Sequence, residues 1–192
     1  MALVIPETTV AAAALVVSAI VTTIVLVRRW HRLDGWQRLS VAVLGVYTPV
    51  VLGVTLGGIP IELAGEAPEG WTYVSLVPFA TISDLLSLIA DSPFQAYMRQ
   101  LYGNLILLAP LGFLLPVLHP RFRRLRDTTV AVLAASLAIE LSQLAISLAI
   151  RFPYRAFDVD DLILNTIGGV LGWAVWRITL GLLAKRLAKA HA

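Results

Sequence analysis

Five long apolar stretches constrain the fold of this chain more than any other feature of its sequence. Each has the roughly 20 residues that an α-helix needs to cross the hydrocarbon core of a bilayer. They cover residues 8–27, 39–56, 101–118, 128–150 and 162–183. A hydrophobic content of 58% with only 14% charged residues is also far from that of an ordinary soluble domain. We therefore predict an all-α integral membrane protein with about five transmembrane helices.

The basic residues predict how these helices are oriented. When the connecting segments are assigned alternately to the two sides, 11 of the 15 lysines and arginines fall on one side and three on the other, with Arg177 inside the last stretch. Because cytoplasmic loops carry an excess of basic residues, we expect the N-terminus outside and the C-terminus inside. Glu7, rather than a positive region, precedes the first stretch, which favours a retained helix over a cleaved signal peptide. The basic residues that give the chain its net charge of +3 then lie on cytoplasmic loops that face anionic lipid, and nothing predicts nucleic-acid binding.

Several kinds of chemistry are excluded or weakly supported. The chain has no cysteine, which excludes disulfides and thiolate metal sites. It lacks HExxH, GxSxG and phosphate-binding glycine loops, and the three histidines, His31, His119 and His191, fall on the predicted cytoplasmic side. What remains is the chemistry of carboxylates, amides and arginines.

The last apolar stretch is entered through a polar segment, "RFPYRAFDVDDLILNTIGG", residues 151–169. On a helix, one arc of about 100° collects Asp158, Asp161, Asn165, Gly168, Gly169 and Gly172. Asp160 points to the opposite side. Capping of the helix N-terminus by Asp158, with Asp160 and Asp161 in the first turn, is one account of the carboxylates, and a functional site is the other. The glycines favour close packing between helices.

The fourth stretch carries a second polar face. Ser136, Glu140, Gln143 and Ser147 share an arc of about 60°. Glu140 lies some 10 residues from the outer end, which is roughly 15 Å of helix. A carboxylate in the membrane is costly unless it is paired, protonated or hydrated, so it indicates either a functional group or a neutral, hydrogen-bonded acid that holds helices together.

The third stretch begins with Asn104, at a depth similar to that of Asn165. Pro110 and Pro116 predict a kinked helix, and Gly112 permits a close contact. The arginines just outside the stretches, Arg99, Arg151 and Arg155, either bind an anion or neutralise the aspartates.

The segment between the second and third stretches has a pattern of its own. Ile82, Leu85, Leu86 and Ile89 recur at helical spacing, and aromatic residues suited to the headgroup level surround them. We expect a short amphipathic or re-entrant segment on the outer face, acting as a lid over the polar residues or as an interface anchor.

Four motifs occur in the order "SLVPFATI", "YGNLILLAPLGFLLP", "IELSQ" and "YRAFDVDDLILNTIGGVLGW". Together they resemble the VanZ-like family, named for an accessory protein linked to teicoplanin resistance in glycopeptide-resistant bacteria, over about residues 75–176. The family pattern carries over to Asn104, Pro110, Gly112, Phe113, Glu140, Gln143, Arg155, Asp158, Asp161, Asn165, Gly168, Gly169 and Gly172. Ser75 stands where family members often have asparagine. We divide the chain into a two-helix region (1–74), a VanZ-like membrane domain (75–183) and a basic cytoplasmic tail (184–192).

The resemblance implies an envelope-facing, multi-pass protein of the bacterial plasma membrane. We expect it to bind or modify a lipid-linked or wall-associated molecule at the outer leaflet and to lower susceptibility to glycopeptides such as teicoplanin. The candidate catalytic residues are Glu140, Asp158 and Asp161, and the candidate substrate-binding residues are Arg99, Asn104, Gln143, Arg155 and Asn165.

No cofactor is assigned, although such oxygen ligands would suit Mg²⁺ or Ca²⁺, and the arginines would suit a lipid phosphate. Membrane lipids and lipid-linked wall precursors are the expected partners, and the sequence does not indicate an oligomeric state. A non-enzymatic interaction or scaffold protein and a small transporter are the alternative functions.

Overall fold

A computed structural model describes residues 4–60, 72–80, 83, 94–152 and 154–190. Among these residues, five helices are long and apolar enough to cross a membrane, which confirms the predicted all-α membrane fold. The candidate spans are Thr8–Arg32, Gly35–Leu56, Gln100–Leu118, Leu125–Ile150 and Val159–Leu180. They coincide with the five apolar stretches to within a few residues at each end.

The helices are α1 (Glu7–Arg29), α2 (Gly35–Leu56), α3 (Phe94–Leu107), α4 (Ala109–Leu118), α5 (Leu125–Ile150) and α6 (Val159–Ala190). Single 3-10 turns, Trp30–Arg32 and Pro120–Arg123, connect α1 to α2 and α4 to α5. Four two-residue strands also occur: β1 (Val4–Ile5), β2 (Ile59–Pro60), β3 (Val74–Ser75) and β4 (Phe157–Asp158).

Two helices begin earlier than their apolar stretches because polar residues cap them. Asp34 is the N-cap of α2: its carboxylate accepts the main-chain N–H of Gln37 at 2.8 Å, and the side chain of Gln37 accepts the N–H of Asp34 at 3.1 Å. This reciprocal pair is a capping box, which satisfies donors that have no partner inside the helix. Asp158 precedes α6, and its side chain accepts the main-chain N–H of Asp160.

The chain divides into two compact units, and the first comprises Met1–Thr81 and Leu137–Leu162. In it, α1 and α2 form a helical hairpin in which Ser18 Oγ donates to the carbonyl of Gly45 at 2.8 Å. A Cβ at Gly45 would overlap the side chain of Thr22, so the two helices pack closely at this position. Strand β1 pairs with β2 in antiparallel fashion, and β3 pairs with β4 in parallel.

The end of α5 turns the chain back along the same helix. Arg151 has a φ of 51°, its N–H donates to the carbonyl of Leu148, and the N–H of Phe152 donates to that of Ser147. This is a Schellman motif with arginine at the left-handed position that glycine usually occupies. Ser147 Oγ then accepts the N–H of Arg155 at 2.9 Å and donates to its carbonyl at 2.6 Å. Residues 151–152 and 154–158 therefore run back beside α5, where Arg155 contacts Ser147 and Asp158 contacts Glu140.

The second unit comprises Ile82–Ser136 and Ile163–Ala192. The predicted kink in the third span is an interruption at Leu108, which lies between α3 and α4 and has a φ of −104° and a ψ of 6°. Pro110 is at the start of α4, where its missing N–H costs least, so the helix stops before the proline and restarts with it.

Glycines bring the backbone of α6 against that of α3 and α4. A Cβ at Gly168 would overlap the carbonyl oxygen of Leu105, and one at Gly172 would overlap that of Ala109. A Cβ at Gly112 would overlap the carbonyl of Gly169. The packing interpretation of these glycines is therefore confirmed, because only residues without a Cβ permit backbones this close.

One prediction concerns residues that the structure does not describe. The amphipathic or re-entrant segment around Ile82, Leu85, Leu86 and Ile89 lies outside the described residues. The division into segments 1–74, 75–183 and 184–192 stays a prediction, and so does the orientation of the termini.

The orientation can be tested with fusions. Because 11 basic residues fall on the side of the C-terminus, a C-terminal green fluorescent protein should fluoresce and a C-terminal alkaline phosphatase should be inactive. As a matched control, alkaline phosphatase fused after Pro60, which follows α2, should be active. Phosphatase activity at the C-terminus together with inactivity after Pro60 would reverse the orientation.

Candidate functional site

The motif DVDD, residues 158–161, starts α6. Asp158 Oδ1 accepts a hydrogen bond from the main-chain N–H of Asp160 at 2.9 Å, so the capping role of Asp158 is confirmed. Asp160 and Asp161 lie in the first turn, where negative charge complements the helix dipole. The main-chain N–H of Asp158 donates to Glu140 Oε2 at 3.1 Å. The cap of α6 is therefore joined directly to the buried acid of α5.

Glu140 is only 2% exposed, and the structure changes the estimate of how deep it lies. Gln143, one turn nearer the end of α5, donates from Nε2 to the carbonyl of Thr55 at 2.9 Å, and Thr55 is in the last turn of α2. Measured from the end of α2, Glu140 is only about 5 Å further in. The distance of roughly 15 Å is the length of α5 between Glu140 and the end of that helix, and α5 extends beyond the end of α2.

Three side chains satisfy the carbonyls at the C-terminus of α2, which have no partners inside the helix. Arg155 Nη2 donates to the carbonyl of Val54 at 3.2 Å, and Gln143 Nε2 to that of Thr55 at 2.9 Å. The hydroxyl of Tyr154 donates to the carbonyl of Gly57 at 2.5 Å. A guanidinium at this position also complements the negative end of the helix dipole. Two predicted substrate-binding residues, Gln143 and Arg155, thus hold α2 against α5 and the segment that follows it.

Asp160 has a partner that the sequence did not indicate. It is 1% exposed, and its Oδ1 accepts the main-chain N–H of Phe79, 81 residues away along the chain. Phe79 belongs to the turn in the motif "SLVPFATI", which the resemblance singled out but to which no role was given. Strand pairing brings the same segment close, since Ser75 lies in register with Asp158.

Asn165 is the polar centre of the second unit. Its Nδ2 donates to Ser136 Oγ at 3.0 Å, and both residues are buried. Asn165 Oδ1 has no hydrogen-bond partner among the described residues, although the side chain is 1% exposed. An acceptor without a donor is costly in an apolar interior, so this oxygen marks a place where a donor from a ligand or water would be stabilised.

The predicted site residues are divided between the two units. Five of them belong to the first unit: Glu140, Gln143, Arg155, Asp158 and Asp161. Asn104 and Asn165 belong to the second unit. Arg99 lies in α3, but its side chain is outside the described part of the structure. The structure thus brings Glu140 and Asp158 into contact, and Gln143 and Arg155 donate hydrogen bonds to carbonyls in the last turn of α2.

The carboxylates do not form an evident metal centre. Within the described ranges, no group of three or more His, Cys, Asp or Glu side chains could hold a metal ion. Binding of Mg²⁺ or Ca²⁺ by amide together with carboxylate oxygens stays an expectation from the sequence.

Comparison with known proteins identifies the family. A model of the VanZ/LLP1 family matches residues 38–181, which include most of α2, Phe79, Glu140 and Asp158. No curated protein and no solved structure matches the chain. Since the match extends over most of the sequence, the chain belongs to the VanZ/LLP1 family and is a multi-pass, VanZ-like membrane protein of the kind linked to teicoplanin resistance.

Proposed function

We propose that this protein acts in the bacterial plasma membrane, where it binds or modifies a lipid-linked or wall-associated molecule at the outer leaflet and lowers susceptibility to glycopeptides such as teicoplanin. Membership of the VanZ/LLP1 family supports the link to teicoplanin resistance. The observation that carries the rest is the contact between buried Glu140 and the capped N-terminus of α6, because ionisable groups inside membrane spans are costly and are usually functional.

The same residues provide two functions that a lipid-linked substrate would require. Glu140 bonds to the main chain of Asp158 through Oε2, and Oε1 is the atom at which it would hold or release a proton. Arg155 remains partly exposed beside the end of α2, where a guanidinium would bind a lipid phosphate more strongly than in water. Asp158 and Asp161 would orient a hydroxyl or amide group of the bound molecule.

The proposal predicts a selective effect of Asp158→Asn. Asparagine caps a helix about as well as aspartate, so the variant should fold and accumulate like the parent protein. If the carboxylate acts on a bound molecule, protection against teicoplanin should nevertheless be lost. The measurement is glycopeptide susceptibility at matched protein levels, with lipid and muropeptide profiling of the same cells.

Two matched controls make this test specific. Asp34→Asn removes the same charge from the N-cap of α2, and Asp160→Asn keeps an oxygen that can accept the N–H of Phe79. Both should leave susceptibility unchanged. If Asp160→Asn is as damaging as Asp158→Asn and Asp161→Asn, the assignment of a site to one helical face is wrong.

An interaction or scaffold protein is the second candidate. It is favoured by the hydrogen bonds that Gln143, Ser147 and Arg155 donate to main-chain carbonyls, because these bonds join segments of the fold. In that case Asp158→Asn, which keeps the shape of the cap, would leave susceptibility and the lipid profile unchanged.

A further inference from the structure

The turn that bonds to Asp160 carries an uncharged apolar surface. Val74, Leu76, Val77 and Phe79 are 41%, 65%, 66% and 58% exposed, and no charged residue occurs in residues 72–80. In water, four adjoining apolar side chains would be unfavourable by the hydrophobic effect. The surface therefore requires an apolar environment.

The turn is fixed to the first unit at both sides of its tip. On one side, β3 pairs with β4, and the N–H of Phe157 donates to the carbonyl of Tyr73 at 2.9 Å. On the other side, Asp160 accepts the N–H of Phe79. Phe79 itself has a φ of 65°, a left-handed conformation that is costly for a residue with a side chain. The carboxylate of Asp160 thus holds the tip in a conformation that the local sequence disfavours.

The depth of the turn follows from the contacts of α5. Gln143 is level with the last turn of α2, where the second span ends, and Glu140 lies one turn further into the membrane. The N–H of Asp158 is at the level of Glu140, and Asp160 begins the first turn of α6 from there. Asp160 is also the second residue of the candidate span Val159–Leu180, so a tip that bonds to it lies at the end of a membrane-spanning segment.

We infer that residues 74–79 form a wedge that enters the bilayer beside α6, that its occupant is the acyl-chain region of the surrounding lipid, and that the side chain of Asp160 positions it. Lipid contact explains why apolar side chains face outward on both the wedge and the neighbouring helices, where Val50 and Leu141 are 56% and 50% exposed. This surface is independent of the function proposed for Glu140 and Asp158.

Spin labelling can measure whether residues 74–79 are exposed to lipid. The chain has no cysteine, so a label can be attached at a single introduced cysteine. Single cysteines would be introduced at Val77 and Phe79 and labelled with a nitroxide. Each labelled protein would then be reconstituted in vesicles of phosphatidylcholine and phosphatidylglycerol. Collision rates with oxygen, which concentrates in lipid, are compared with those of a water-soluble nickel chelate. Val50→Cys is the lipid-facing reference, and Thr72→Cys, an exposed position ahead of β3, is the reference nearer water.

The oxygen-to-nickel ratio at Val77 and Phe79 should approach that at Val50 and exceed that at Thr72 several-fold. A ratio equal to that at Thr72 would place the turn in water, and low collision rates with both reagents would place it against protein. Either result overturns the inference.

The role of Asp160 is tested in the same labelled protein. Asp160→Ala should lower the ratio at Phe79 and increase the mobility of the label, whereas Asp160→Asn, which retains an acceptor oxygen, should restore both. Equal spectra for the parent and Asp160→Ala would remove Asp160 from the inference. If Asp160→Ala does not fold, the collision ratios in the parent background still decide whether the turn enters lipid.

Discussion

Leucine in place of Gly168 or Gly172 is expected to prevent the protein from accumulating in a folded form. At both positions the atoms that a Cβ would meet are main-chain carbonyl oxygens, of Leu105 and Ala109, which cannot move away like a flexible side chain. The destabilisation should therefore exceed the ~1–3 kcal/mol that is typical when extra methylenes are forced into a core. Fluorescence-detected size-exclusion chromatography of a tagged protein would show the loss of the monodisperse peak.

Gly103 provides the matched control for this prediction. It lies in α3 of the same unit, and a Cβ there would meet nothing within 4 Å. Gly103→Leu should therefore leave the peak and its thermal stability unchanged or slightly improved, since leucine favours a helix more than glycine does. Equal loss at Gly103 and Gly168 would mean that the helices do not approach each other through these glycines.

The spans could be predicted from sequence because lipid imposes a simple requirement on composition and length. The kink in the third span could also be predicted, since Pro110 cannot donate a helical hydrogen bond. The ends of the helices were harder. The last apolar stretch starts at residue 162, whereas the helix begins at Val159, as the capping account of Asp158 predicts.

The surroundings of the candidate site could not be predicted, because they depend on contacts between distant segments. A helical wheel predicts that Asp160 points away from Asp158, but it cannot show that the N–H of Phe79 bonds to Asp160. The position of Glu140 relative to the end of α2 likewise depends on Gln143 and the carbonyl of Thr55, which are 88 residues apart. The catalytic and binding roles given to all eight candidate site residues stay predictions.

Polar residues near the end of α2 have a physical reason to be there whatever the protein does. A helix that ends in or near lipid leaves main-chain carbonyls that water does not readily reach, so side chains must satisfy them. Arg155, Gln143 and Tyr154 do so for α2. Substitution of these three residues will therefore disturb the fold as well as any binding function, and Glu140 is the more informative position.

Glutamine and leucine at position 140 should have different effects on folding. Glutamine keeps a side-chain oxygen that can accept the main-chain N–H of Asp158, so Glu140→Gln should accumulate and melt like the parent protein. Leucine leaves that partly buried N–H without a partner, at a cost of about 1–3 kcal/mol, and should lower both the amount of protein and its melting temperature. The thermal stability of the two purified variants in the same detergent measures this difference.

The same glutamine should remove the activity if Glu140 works by holding or releasing a proton, because an amide cannot do either near neutral pH. We expect Glu140→Gln to be folded and to give no protection against teicoplanin at matched protein levels. Degradation of Glu140→Gln to the same extent as Glu140→Leu would show instead that the glutamate is an ionised structural partner. Full protection by the glutamine variant would reduce the role of Glu140 to that of a hydrogen-bond acceptor for the cap of α6, and it would favour the scaffold function over a site that acts on a bound molecule.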